Sequence, residues 1–258
     1  MNQEIYNKIT EKKEFSHLPK KDVEMAFSHF EKRQTSEEEK IKLTRDLLRK
    51  IFSAFASKKI LSPKNKNEEW ILRKHLSTRE RLPFYERVYE QILNDFDLKK
   101  DMTIIDLGAG VNGFSYKFLK KVREPINYVG IEAVGQLVDL TNSFFKRERI
   151  NGEIYHESLF DLDKIKKIIE IQKRPRIVFL FKTIDSLEML EKDYSKKLLL
   201  EITPLCDKIV TSFATGSMIK KTKFRAKRNW IIDFINEHFE LEDDFELGNE
   251  RYIVFRHH

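Results

Sequence analysis

The spacing of apolar positions changes character near residue 97. Before it, Leu43, Leu47, Leu48, Ile51, Phe52 and Phe55 recur at helical intervals and mark one buried stripe. Ser36 followed by Glu39 supplies a capping box for the start of that helix. Ser62-Pro63 ends it, Lys64 to Asn67 forms a polar link, and a further helix is expected over 81–96. Beyond residue 100, short apolar runs alternate with amphipathic stretches. Strands are predicted near 103–107, 127–131, 152–156, 176–181 and 207–213, with helices near 113–122, 136–148, 161–171, 188–201 and 227–238. Two last strands, near 240–247 and 250–256, are joined by Gly248-Asn249 as a hairpin turn. This alternation predicts an α/β architecture: a doubly wound, Rossmann-like sheet of seven strands with the last reversed. The expected division is a helical domain over 1–97 and a sheet domain over 98–258.

Composition sets the bounds. With 258 residues, 40% of them hydrophobic and 20 of them Phe, the chain can bury a substantial core. No apolar run approaches 18 residues, so no membrane span is expected. Met1 to Thr10 lacks the apolar centre of a secretory signal. The single cysteine, Cys206, leaves no internal disulfide, and the seven histidines lack ligand spacing, so no metal is expected. A cytoplasmic monomer is the plain expectation.

The net charge of +7 is unevenly placed. Residues 40–74 carry 11 basic and 3 acidic side chains. A second basic run comprises Lys220, Lys221, Lys223, Arg225, Lys227 and Arg228, with no acid between Ala214 and Trp230. Two such zones flanking one site suit a polyanion lying across both, and nucleic acid is the natural candidate.

The candidate site begins at Ile104-Ile105-Asp106-Leu107-Gly108-Ala109-Gly110-Val111-Asn112-Gly113. An apolar run, an acid and spaced glycines followed by a helical pattern describe a strand-to-helix turn that holds a nucleotide-like ligand. The glycine spacing alone also fits a nicotinamide dinucleotide. Asp106 shifts the preference towards S-adenosylmethionine, whose ammonium and sulfonium an acid can attract. Glu132 ends the next apolar strand, where a carboxylate can accept from ribose hydroxyls. After the third strand, Glu157 or a backbone group beside it can meet an adenine amino group, and Lys182 ends the fourth strand, facing the substrate side.

His75-Leu76-Ser77-Thr78-Arg79-Glu80-Arg81-Leu82 resembles the His-x-Ser-Thr-Lys-Glu-Arg-Leu stretch of the aminoglycoside-resistance 16S rRNA (guanine-N7) methyltransferases. Phe181-Lys182 and Ser212-Phe213-Ala214-Thr215-Gly216-Ser217 are similar to that family's Phe-Lys and Ser-Phe-Pro-Thr-Arg-Ser. The order and spacing hold from about Leu72 onward. The resemblance implies the class I methyltransferase fold and S-adenosylmethionine as cofactor. It implies Arg81 on the methionine carboxylate with His75 nearby, Gly108 and Gly110 beneath the cofactor, Glu132 on the ribose and Glu157 near adenine. Lys182 and the 215–228 loop would face RNA, and the helical first part would grip the small ribosomal subunit. The chain departs from the family at Ala109-Gly110-Val111-Asn112-Gly113, where the family has Cys-Gly-x-Asn-Pro, and at Gly216, where it has Arg.

The chemistry fits what is missing. Guanine N7 carries a free lone pair and needs no general base, so positioning can supply most of the catalysis. No Asn-Pro-Pro-Tyr-like run follows the fourth strand, and Cys206 reads as a core residue. Lys182 and Asn229 are the polar candidates beside the target base. Two other readings stay open: methylation of tRNA or another RNA, and a non-catalytic module that binds the cofactor and RNA.

Overall fold

The computed structural model describes residues 1–53, 60, 66–96, 101–216 and 228–258. Among the described residues, seven strands form one sheet: β1 (Met102–Leu107), β2 (Ile126–Glu132), β3 (Gly152–His156), β4 (Arg176–Phe181), β5 (Lys208–Ala214), β6 (Glu240–Leu247) and β7 (Glu250–Arg256). Their order is β3-β2-β1-β4-β5-β7-β6, parallel from β3 to β5, with β7 antiparallel to both neighbours. Every residue of β1 is buried, as is nearly every residue of β2 and β4. Helices covering both faces explain why these strands read as continuous apolar runs rather than alternating ones.

The helical first part contains α1 (Gln3–Thr10), α2 (Lys20–Glu31), α3 (Glu37–Leu48), α4 (Glu68–Lys74), α5 (Leu76–Arg81) and α6 (Tyr85–Leu93). The Ser36 cap is present: its hydroxyl accepts from the Glu39 amide at 3.2 Å. Asn2 and Asn67 cap α1 and α4 in the same way. The inward face of α3 is Ile41, Thr44 and Leu48, while Leu43 and Leu47 are only half-buried. Ser62-Pro63 and Phe55 lie outside the described residues.

In the sheet part, α7 (Tyr116–Val122), α8 (Gly135–Glu148) and α9 (Leu162–Glu170) follow β1, β2 and β3. The single helix expected over 188–201 is two, α10 (Ile184–Leu190) and α11 (Tyr194–Ile202). They part at Asp193, which is left-handed at φ +63°, and the Glu188 carboxylate accepts from the Asp193 and Ser195 amides. α12 (Asn229–His238) precedes the terminal hairpin.

Contacts between the helical part and the sheet are specific. The His17 carbonyl accepts from the Gly135 amide at 3.1 Å and lies 2.8 Å from His156 Nε2. Lys21 Nζ donates to the Phe160 carbonyl at 2.7 Å. Tyr85 stacks on Phe118 with centroids 5.4 Å apart. The hairpin turn meets Phe84: a Cβ added to Gly248, at φ +65°, would stand 2.6 Å from its ring. One hydrophobic core therefore runs from Phe15 and Val23 through Ile104 and Ile105.

Candidate active site

A cleft opens above the carboxyl ends of β1, β2 and β4, lined among others by Asp106, Glu132 and Lys182. Strand order reverses between β1 and β4, the point at which doubly wound sheets bind ligands.

Its floor is the turn after β1. Gly108 and Gly110 are left-handed, at φ +76° and +52°, a region where a side chain is disfavoured. A Cβ at Gly108 would stand 2.9 Å from Thr183 Oγ1, and one at Gly110 would stand 3.3 Å from His75 Nε2. Gly113, the third glycine of the motif, serves packing instead, because a Cβ there would meet Thr141 at 2.7 Å and Phe145 at 2.9 Å.

Two carboxylates on the strand ends face this turn. Glu132 accepts from the Gly110 amide at 2.7 Å through Oε2 and from the Val134 amide at 2.8 Å through Oε1. Burial raises its pKa against the pull of those amides. Asp106 Oδ2 accepts from the Tyr128 hydroxyl and from Asn112 Nδ2 at 2.8 Å. Burial raises the Asp106 pKa as well, with Tyr128, Asn112 and Arg81 opposing. No hydrogen bond reaches Asp106 Oδ1 among the described residues.

Arg81 comes from α5 and is 2% exposed. Its guanidinium donates to Glu250 at 2.5 Å, Asn112 Oδ1 at 3.2 Å, the Tyr252 hydroxyl at 3.2 Å and Ser77 Oγ at 3.4 Å. It also lies 4.3 Å from the centroid of Phe181. Burial opposes its charge, but Glu250 holds the pKa above the usual value. His75 caps α5, and burial, with Arg81 and Lys182 nearby, lowers its pKa to about 3. The imidazole is therefore neutral at physiological pH.

Lys182 is a non-glycine residue at φ +58°. The strained backbone is held by its amide, which donates to the Ser212 carbonyl and hydroxyl at 3.1 Å each. Its ammonium pairs with Glu80 and, at 3.3 Å, with Glu250, and its side chain is 7% exposed. Sequence reasoning placed Lys182 at the substrate side; it lines the cleft, but within a network of two cations and two carboxylates.

Other expected residues lie elsewhere. Glu157 pairs with Lys164 at 3.0 Å and is not among the side chains lining the cleft. The carboxyl at that end belongs to Asp22 of α2, which sequence reasoning missed because no local motif marks it. Asn229 is exposed at the start of α12 and does not line the cleft. Arg228 is engaged by Asp185 at 2.7 Å and by the Ala214 carbonyl at 3.0 Å, so it is not a free member of the basic run. Lys220, Lys221, Lys223, Arg225 and Lys227 lie outside the described residues. Cys206 is buried and its thiol is pushed up to about 12, an inert form.

Asn112, Glu80 and Glu250 were also missed as site residues. Asn112 sits inside the glycine motif and Glu80 inside the His75–Leu82 stretch. Glu250 carries no sequence signal, since only the fold of β7 brings it to Arg81.

No protein-family model and no curated protein matches this chain. Among solved structures, it is similar to the 16S rRNA methylase RmtB, with a TM-score of 0.77 at 17% identity over 100% of both chains. The 16S rRNA methyltransferase RmtF, crystallised with S-adenosyl-L-homocysteine, gives 0.79 at 17% identity, again over 100% of both chains. An rRNA methylase from Escherichia coli gives 0.75 at 17% identity over 98% of this chain and 100% of that one. The likeness establishes the fold, the Rossmann-like class I methyltransferase sheet together with its helical N-terminal part.

Proposed function

We propose that this chain is an S-adenosylmethionine-dependent RNA methyltransferase of the aminoglycoside-resistance 16S rRNA type, acting on guanine N7 in the small ribosomal subunit. The observation that carries the reading is the donor set of the cleft. It offers a left-handed glycine turn that a Cβ would obstruct, a carboxylate at the end of β2, an acid on β1 and the buried Arg81 guanidinium, ion-paired with Glu250. These groups match, in order, the close approach, ribose hydroxyls, ammonium and carboxylate of S-adenosylmethionine. Likeness over the whole chain to 16S rRNA methylases, helical part included, supports RNA as the substrate.

When bound, that cofactor supplies an electrophilic methyl group, to which guanine N7 donates its lone pair as the carbon–sulfur bond breaks. The protein needs to position and exclude water rather than remove a proton. Glu132 orients the sugar and, through the Gly110 and Val134 amides, fixes the turn beneath it. Asn112 links Asp106 to Arg81, so the groups that would meet the ammonium and the carboxylate are held in one frame. His75, kept neutral, adds no further positive charge beside the sulfonium. Lys182 lines the cleft on the β4 side, towards the substrate, while Asn229, exposed outside the cleft, and the basic run would meet the RNA flanking the target base. Phosphate neutralisation by the two basic zones supplies the sequence-independent part of binding.

Transfer of labelled methyl from S-adenosylmethionine to purified 30S subunits, naked 16S rRNA and tRNA tests the reading. Label in 16S rRNA with a modified N7 is the expected result. Label confined to tRNA refutes the ribosomal assignment, and no label in any RNA refutes the enzyme.

A further inference from the structure

The cleft has a recognition group that the catalytic reading leaves unused. Across the sheet, from β4 to β1 to β2 to β3, charged residues lining the cleft follow in the order Lys182, Asp106, Glu132 and then Asp22, which is held by Ser158 just after β3. If the cofactor carboxylate sits by Arg81 and its ribose at Glu132, its base lies at the β3 end.

The cleft walls include the apolar Leu137, Leu159, Phe160 and Leu187, of which Leu159 and Phe160 directly follow Ser158. Asp22 is 1% exposed. Its Oδ1 accepts from Ser158 Oγ at 3.1 Å, while its Oδ2 is buried with no hydrogen-bond partner among the described residues. A buried carboxylate oxygen without a donor is costly, and native structures rarely keep one without a reason.

The surroundings hold Asp22 in place. Ser158 Oγ also accepts from the Phe160 amide at 3.1 Å, and the neighbouring Lys21 is tied to the Phe160 carbonyl. Glu157, the acid next to Ser158 in sequence, is turned to Lys164.

We propose that Asp22 reads the adenine of the cofactor, its Oδ2 accepting a hydrogen bond from the 6-amino group. A residue of the helical N-terminal part thereby completes the donor pocket. A slot with apolar walls and an unpartnered carboxylate oxygen at its edge favours a purine with an amino group over one without, because only the former satisfies that acceptor. The proposal rests on the S-adenosylmethionine reading above.

The test pairs two ligands with three proteins. S-adenosyl-L-homocysteine and its analogue lacking the 6-amino group are titrated by calorimetry into the wild-type chain, Asp22→Ala and Asp22→Asn, with thermal unfolding as a check on folding. The wild type should prefer the amino ligand by about tenfold or more. Asp22→Ala should bring the two affinities together by weakening S-adenosyl-L-homocysteine, whereas simple loosening of the pocket would weaken both ligands alike. Asp22→Asn keeps the shape and one neutral acceptor, so its preference should be intermediate; it decides the matter should the alanine variant fail to fold.

A wild type that binds S-adenosyl-L-homocysteine without preferring the amino group overturns the role of Asp22 alone. So does a preference that both variants retain. A wild type that binds neither ligand overturns the S-adenosylmethionine reading itself, and this proposal with it.

Discussion

Arg81 and Glu250, 169 positions apart in the chain, meet at 2.5 Å with both residues at most 2% exposed. The pair joins the helical part to the reversed strand and fixes the Arg81 guanidinium at the cleft. Burial opposes the Glu250 charge, but Arg81 and Lys182 hold its pKa below the usual carboxylate range.

Removing that carboxylate should be expensive. Glu250→Gln leaves Arg81 and Lys182 without their shared partner, and breaking a buried pair typically costs about 3–5 kcal/mol. Urea denaturation should show a loss of at least about 3 kcal/mol. The double change Arg81→Met with Glu250→Leu should recover much of that stability without recovering S-adenosyl-L-homocysteine binding. Full binding by the double variant would show that Arg81 serves the fold alone.

The three glycines of the motif should separate by role. Gly108→Ala and Gly110→Ala place a side chain at positive φ against Thr183 or His75 and should lower S-adenosyl-L-homocysteine affinity at least about tenfold, with about 1 kcal/mol of destabilisation. Gly113→Ala, which overpacks against Thr141 and Phe145, should instead cost about 1–3 kcal/mol of stability with a smaller effect on binding. Calorimetry and thermal unfolding on the same samples make the comparison.

Glu132→Gln should weaken the ligand without unfolding the protein. A glutamine has one acceptor oxygen and cannot serve both the Gly110 and Val134 amides as the carboxylate does. Losing a charge-assisted bond beside the proposed ribose should lower affinity by about 10- to 100-fold. An unchanged affinity would remove Glu132 from the site.

The Asp22 carboxyl should make ligand-free stability fall as pH rises. Burial raises its pKa to about 7, with Glu132 adding to the shift and Ser158 and Lys21 opposing it; the buried Tyr194 hydroxyl is also close enough to feel its charge. Because the folded pKa lies above the ordinary 3.8, the folded chain holds a proton there that the unfolded chain releases. Its contribution is therefore full at low pH and lost as pH climbs towards 7. Asp22→Asn should gain stability relative to the wild type between pH 5 and pH 8, by at least about 1 kcal/mol. Denaturation at the two pH values checks the sign, and a gain at pH 5 that vanishes at pH 8 would reverse it.

Binding to RNA should depend steeply on salt. Replacing Lys220, Lys221, Lys223 and Lys227 with Gln should lower affinity for 16S rRNA and flatten the plot of log affinity against log salt by roughly one unit for each phosphate no longer neutralised. Equal slopes for the wild type and the variant would exclude that run from the interface.

The strand and helix pattern was largely legible before folding because each signal is local. The buried run 102–107, the glycine turn and the Gly248-Asn249 hairpin are set by side-chain burial and backbone freedom within a few residues. Local signals fail where a boundary depends on distant contacts. The split between α10 and α11 rests on Glu188 reaching forward to two amides, and the inward face of α3 rests on what packs against it.

Periodicity, glycine spacing and strand-end acids, read from the chain alone, determined the sheet, the location of the cleft and the residues Asp106, Gly108, Gly110 and Glu132 at its floor. Tertiary structure decided how charge is shared there. It turned Lys182 inward to Glu80 and Glu250, tied Glu157 and Arg228 to partners of their own, and brought Asp22 from the second helix to the far end of the cleft. The reason is physical: conformational preference acts over a few residues, whereas the desolvation and pairing of a charge depend on whichever groups the fold brings within a few ångströms.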